Sequence, residues 1–88
     1  MTGRVLVTGS SRGIGRAIAL ELAGAGFDIV VHCRERRDDA QETVAAARER
    51  GGEPSLLQFD LTDRVAVRAA LEADIEAHGP YSGVVLNA

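Results

Sequence analysis

Hydrophobic positions along the chain alternate between short continuous runs and helical stripes. Val5-Leu6-Val7 is an apolar run that stops at Thr8-Gly9, as a strand buried on both faces does. From Gly13 the spacing turns helical. Ile14, Ala17, Ile18, Leu22 and Ala25 fall on one face, Arg16 and Glu21 lie off it, and Gly26 ends the pattern. Phe27 to Cys33, centred on Ile29-Val30-Val31, predicts a second buried strand, followed by the charged turn Arg34-Glu35-Arg36-Arg37.

Asp38 or Asp39 is placed to cap a second helix running through Ala40, Val44 and Ala47 to Gly51-Gly52, where glycine supplies a left-handed cap and Pro54 prevents continuation. Leu56-Leu57-Gln58-Phe59 predicts a third strand. Thr62 or Asp63 caps a third helix carrying Val67, Leu71 and Ile75, which His78-Gly79-Pro80 terminates. Gly83 to Leu86 predicts a fourth strand. Strand and helix alternate throughout with short connections, so the expected fold is α/β: a parallel sheet with right-handed crossovers and helices on both faces. A fourth strand ending at Asn87-Ala88 leaves a sheet edge unpaired, and the expectation is that the fold continues beyond residue 88.

Composition narrows the chemistry. The chain has 88 residues, of which 45% are hydrophobic and 26% charged, the balance of a globular protein rather than a disordered one. A net charge of −3 offers no basic field for nucleic acid, and the apolar N-terminal run is too short for a signal segment or a membrane span. The positive side chains are all arginines; there is no lysine. Cys33 is the only cysteine, which excludes an internal disulfide and any CxxC framework and suits a reducing cytoplasm. His32 and His78 share no metal-ligand spacing with it. Asp28 and the Glu72-Asp74-Glu76 series are expected to be solvated.

Candidate chemistry gathers where the first strand passes into the first helix, at Thr8-Gly9-Ser10-Ser11-Arg12-Gly13-Ile14-Gly15. Backbone N–H groups and the positive helix end converge there, an arrangement that suits a pyrophosphate. Gly9 allows the sharp turn, Gly13 lets the backbone approach phosphates without a Cβ, and Gly15 allows helix to pack closely on strand. A Walker-type loop is excluded, because no Gly-Lys-Ser/Thr is present. Asp60, after the third strand, can simply end that strand or cap a helix.

The T-G-x-x-x-G-I-G pattern after an N-terminal strand resembles the short-chain dehydrogenase/reductase family. The whole chain fits it, and Val7 to Ala19 is most similar to the 3-oxoacyl-[acyl-carrier-protein] reductase branch. The resemblance implies a Rossmann-type doubly wound parallel sheet of which this chain holds the first four strands and three helices. Residues 1–88 are then the N-terminal NADP(H)-binding part of one domain.

Residue by residue, the resemblance assigns cofactor contacts to Gly9, Ser11, Arg12, Gly13, Ile14 and Gly15. Asp60-Leu61-Thr62-Asp63 resembles the family's D-[LV]-[TS]-[DN], which makes Asp60 the acceptor for the adenine amino group and Leu61 a source of backbone contacts. Val85-Leu86-Asn87-Ala88 resembles the start of N-N-A-G, with Leu86 in place of the first Asn; Asn87 then braces the sheet and the cofactor ribose. Strand two ends in Cys33 where an NAD-binding chain carries an acid, and Arg34 follows. Arg12 and Arg34 are similar to the paired basic residues that read the 2′-phosphate of NADP(H), with Arg36 and Arg37 in reserve.

The family's catalytic Ser and Tyr-x-x-x-Lys are absent from these residues, since Tyr81 is the only tyrosine and stands four before Val85. No catalytic residue is therefore expected here. For the complete protein the resemblance implies a cytoplasmic, homo-oligomeric (tetrameric or dimeric) NADPH-dependent carbonyl reductase acting on a small-molecule or acyl-carrier-protein-bound substrate, in fatty acid biosynthesis. A non-catalytic dinucleotide-binding protein or sensor is the alternative. A nucleoside-methyl-donor enzyme fits less well, lacking the Thr-Gly start.

Overall fold

The computed structural model describes residues 3–87. Along it run β1 (Arg4–Val7), α1 (Gly13–Gly24), β2 (Asp28–Cys33), α2 (Arg37–Glu49), β3 (Ser55–Gln58), α3 (Arg64–His78) and β4 (Gly83–Val85). Every strand pairing is parallel, in the order β3-β2-β1-β4. The chain thus winds outward from β1 through β2 to β3 and then returns to β1's other side. α1 and α2 touch each other on one face, and the right-handed crossover from β3 to β4 carries α3 to the opposite one. The winding reverses between β1 and β4, and a crevice opens beyond the carboxyl ends of strands at such a point.

Alternation along the strands builds the core. Val5, Val7, Ile29, Val31 and Cys33 meet Ala19 and Ala23 of α1 and Ala40 and Ala47 of α2; Leu6, Val30 and His32, one residue out of phase, are buried toward the other face.

The buried face of α1 differs from the one its hydrophobicity predicts. Gly15, Ala19 and Ala23 lie inward, with Ile18 and Leu22 half-buried, while Ala17 and Ala25 are exposed and Ile14 is 74% exposed. Spaced four apart, these small residues let the helix axis lie close on the valine-rich strands, and closeness outweighs the bulk of Ile14. At α2, neither Asp38 nor Asp39 is the cap. The helix begins at Arg37, its N-cap Arg36 makes no capping side-chain hydrogen bond, and both acids sit in the first turn, where they favour the helix dipole.

β3 starts one residue early, at Ser55; Phe59 lies beyond it but is buried, its N–H donating to the Cys33 carbonyl at 3.2 Å. Asp63 caps α3, accepting from Ala66 N–H at 3.0 Å. β4 closes at Val85, and Leu86 is 82% exposed.

The clearest correction concerns Asp74. Read as solvated, it is the one buried residue of α3. Arg4, 70 residues earlier at the start of β1, supplies the reason: its Nη2 donates to Asp74 Oδ2 at 2.7 Å, and Tyr81 Oη donates to the same oxygen at 2.5 Å. Val67 and Leu71 are half-buried and Ile75 is 39% exposed, so this polar clip adds an anchor to an apolar stripe that is nowhere fully buried.

Candidate functional site

Two of the turn's glycines take the backbone conformation that side chains resist: φ is +63° at Gly9 and +65° at Gly13. A Cβ on Gly13 would meet nothing, leaving the backbone open to an approaching group. At Gly15 a Cβ would collide with the Gly9 carbonyl and with Asn87 Nδ2, so this glycine is demanded by packing. The N-cap of α1, Arg12, makes no side-chain bond, and the first turn holds no acid. The positive helix end is left for something else to satisfy.

Polar side chains inside and outside the turn fix it. Ser10 Oγ donates to Val7 O at 2.7 Å and accepts from His32 N–H at 3.0 Å. Thr43 of α2 donates to Ser10 O at 3.0 Å and accepts from Arg16 Nε at 2.9 Å. Arg16 Nη2 reaches Ser11 O at 2.6 Å and Asp39 O at 2.9 Å. Two residues beyond the end of β4, Asn87 donates its backbone N–H to Thr8 Oγ1 at 2.9 Å and its Nδ2 to Gly9 O at 3.3 Å. These two bonds tie Asn87 to the turn itself. Ala88, the next residue of that motif, lies outside the described residues.

Beside the turn opens a cleft of about 660 Å³ between the ends of β1, β2 and β3. Gly9, Ser11, Arg12 and Gly13 form one wall, His32 to Arg36 the floor and back, and Asp60, Leu61 and Thr62 the other wall. Of the residues singled out from the sequence, seven meet here: Gly9, Ser11, Arg12, Gly13, Arg34, Asp60 and Leu61. Ile14, Gly15 and Asn87 are outside its lining. Arg36 also lines the cleft, whereas Arg37 is turned to Gln58 Oε1 at 3.0 Å.

Electrostatics sharpen the far wall. Asp60 Oδ1 accepts from Thr62 N–H at 2.9 Å and Thr62 Oγ1 at 2.8 Å, and Oδ2 lies 3.4 Å from Arg34 Nη2. The two Thr62 bonds, aided by the Arg34 charge, hold the Asp60 carboxyl below the usual carboxylate range. Arg34 is 66% exposed in its side chain and its pairing with Asp60 is long, so the guanidinium exchanges partners at little cost. Gln58 Nε2 donates to Arg34 O at 3.1 Å and fixes the backbone from which that side chain departs.

His32, set aside as a metal ligand or nucleophile, is 2% exposed and forms the cleft floor. Its Nδ1 accepts from Gly9 N–H at 3.0 Å and its Nε2 lies 2.9 Å from Phe59 O. Burial pushes its pKa down, against the pull of the Phe59 carbonyl. His32, Thr43 and Arg16 were not anticipated as parts of the site, and Ser10 was read only as a position in the glycine turn. Two signals were available: an arginine in a helix's first turn opposes the dipole unless it has other partners, and a histidine inside a valine-rich strand must have its ring nitrogens satisfied. Among the described residues no group of His, Cys, Asp and Glu could hold a metal ion, and no helix is long and apolar enough to cross a membrane.

A parallel β3-β2-β1-β4 sheet with a glycine turn feeding an uncapped helix defines a Rossmann-type fold. Residues 3–88 match the short chain dehydrogenase family, and the chain belongs to it. It is 58% identical over 88 residues to the 3-oxoacyl-[acyl-carrier-protein] reductase FabG of Aggregatibacter actinomycetemcomitans, covering 100% of this chain and 36% of that protein. It is 40% identical over 83 residues to the 1-cyclohexenylcarbonyl-CoA reductase of Streptomyces collinus, covering 94% of this chain and 30% of that one. Among solved structures, acetoin dehydrogenase from Enterobacter cloacae superposes with a TM-score of 0.91 at 33% identity, covering 100% of this chain and 35% of that one. The chain spans about a third of the length of the relatives it matches.

Proposed function

We propose that this chain is the NADP(H)-binding N-terminal part of a longer carbonyl reductase whose leading substrate is a 3-oxoacyl thioester on acyl-carrier protein. One observation carries the cofactor reading: β2 ends in the buried Cys33, and the cleft above it is flanked by two exposed arginines, Arg12 on the glycine turn and Arg34 opposite. A thiol cannot replace the carboxylate that would accept from two ribose hydroxyls, whereas a planar guanidinium suits a phosphate.

The residues present fit the dinucleotide. Gly9, Gly13 and the open N-terminus of α1 hold the pyrophosphate, with Ser11 and Ile14 beside them on the turn. Asp60 accepts from the adenine amino group, Leu61 supplies backbone contacts beside it, and Arg34 with Arg12 takes the 2′-phosphate. Asn87 keeps Gly9 in place and stands toward the ribose. When bound, the nicotinamide supplies hydride to a carbonyl carbon; the described residues orient it and carry no proton to the substrate.

The substrate class rests on the 58% identity to a 3-oxoacyl-[acyl-carrier-protein] reductase. Val84, 51% exposed on β4 at the sheet edge, and the one-third coverage of the relatives support a domain that extends beyond these residues. The test is NADPH oxidation by the full-length protein with a 3-oxoacyl thioester. Turnover that stops when NADPH is replaced by NADH supports the proposal; tight NADPH binding without turnover on thioesters or simple ketones identifies a dinucleotide sensor instead.

A further inference from the structure

β2 lies between β1 and β3, so groups at the ends of these two flanking strands have no direct contact through the sheet. The His32 side chain joins them. Nδ1 takes the N–H of Gly9, in the turn after β1, and Nε2 meets the carbonyl of Phe59, the residue before Asp60 after β3. The backbone of the same residue is tied to Ser10 in both directions, with Ser10 N–H on His32 O at 3.1 Å and His32 N–H on Ser10 Oγ at 3.0 Å. The Phe59 ring, centroid 4.3 Å away, closes the remaining side.

These contacts permit one protonation state. An amide N–H only donates, so Nδ1 must offer its lone pair; a carbonyl only accepts, so Nε2 must carry the proton. A second proton, on Nδ1, would set two N–H groups against each other at hydrogen-bond distance. We propose that His32 is a positioning residue: in its neutral Nε2–H form it holds the Gly9 turn and the Phe59-Asp60 wall in register for the dinucleotide, and its protonation releases the turn. The inference rests on the dinucleotide reading of the cleft.

The surroundings agree. Arg12 on the turn and Arg34 and Arg36 after β2 line the same cleft and disfavour a further positive charge, against Glu35 and the Asp60 carboxylate. Burial already lowers the ring's affinity for a proton below its ordinary value of 6.5. The sign follows: binding that needs neutral His32 is fully present above about pH 6.5 and is lost as pH falls through the lowered value, by up to about tenfold per unit.

The test is calorimetric titration of the full-length protein with NADP+ at about pH 7.5 and about pH 5.5, for the wild type and for His32→Asn and His32→Phe. Asn keeps an acceptor for Gly9 N–H that does not titrate; Phe keeps the volume and no acceptor. His32→Asn should bind near wild-type strength at the higher pH and lose less than the wild type on acidification, the ligand's own ionisation being common to both. His32→Phe should bind up to about tenfold more weakly at the higher pH. Identical pH profiles for wild type and His32→Asn overturn the inference. Nitrogen chemical shifts of the His32 ring, read without ligand, decide it if a variant fails to fold: protonated Nε2 and bare Nδ1, titrating together with the Gly9 amide, support it, and the opposite tautomer refutes it. A wild type that binds neither NADP+ nor NAD+ refutes the dinucleotide reading, and the ring shifts still decide the role of His32.

Discussion

Arg4 and Asp74 join the beginning of β1 to the last turns of α3 through a 2.7 Å ion pair whose carboxylate is 4% exposed. Arg4 Nη2 also donates to Gly79 O at 3.0 Å, and its guanidinium stands over the Tyr81 ring at 4.9 Å. One arginine thus secures the end of α3 and the approach to β4, on the side of the sheet away from the cleft.

Removing one member of such a pair leaves the other charge stranded. Asp74→Ala should lower unfolding stability by about 3 kcal/mol, read from the midpoint of a urea titration. A loss below about 1 kcal/mol, the level of a surface pair, would show that the clip is decorative. Burial disfavours the Asp74 charge, but the Arg4 and Tyr81 bonds outweigh it and hold the carboxyl below its ordinary value of 3.8. Its contribution is therefore present above that pH and vanishes only as pH falls through the lower folded value.

Tyr81 reports on the same clip from the alkaline side. Burial and its bond to Asp74 push the phenol up from 10.0 to about 12. A group raised in the folded state stabilises fully below its unfolded value, and this contribution is lost between pH 10.0 and about 12. The difference in tyrosinate absorbance between wild type and Tyr81→Phe should show one midpoint near 12. A midpoint at the ordinary phenol value would mean that Tyr81 and Asp74 are not bonded.

Much of this architecture could be read in the amino acids, because apolar runs and glycines act locally. Val5-Leu6-Val7 and Ile29-Val30-Val31 mark the central strands, and Asp63 caps α3 as its type and place suggest. What escaped depends on distance along the chain or on small side chains. Asp74 looks solvated until Arg4 is brought to it across 70 residues. Ile14 outweighs Gly15 in any count of hydrophobicity, yet close packing selects the glycine. In the candidate site, the glycine turn, Arg34, Asp60 and Leu61 were legible from their motifs, whereas the cleft floor at His32 and the braces Thr43 and Arg16 depend on contacts with distant backbone groups that no motif displays.

Gly15 offers a direct test of the packing at the turn. Gly15→Ala places a methyl against the Gly9 carbonyl and Asn87 Nδ2, neither of which can move without disturbing the turn. Stability should fall by roughly 1–3 kcal/mol, although alanine is the better helix former. A denaturant titration showing Gly15→Ala as stable as the wild type would contradict the close approach of α1 to this turn.

The proposed reading of the 2′-phosphate of NADP(H) by Arg34 is tested by the dissociation constants for NADPH and NADH in the full-length protein and its Arg34→Ala variant. The wild type should bind NADPH more tightly. Loss of one charge-assisted contact should weaken NADPH by on the order of ten- to a hundredfold and leave NADH nearly unchanged. Equal losses for both cofactors, or a wild type that prefers NADH, would contradict the account.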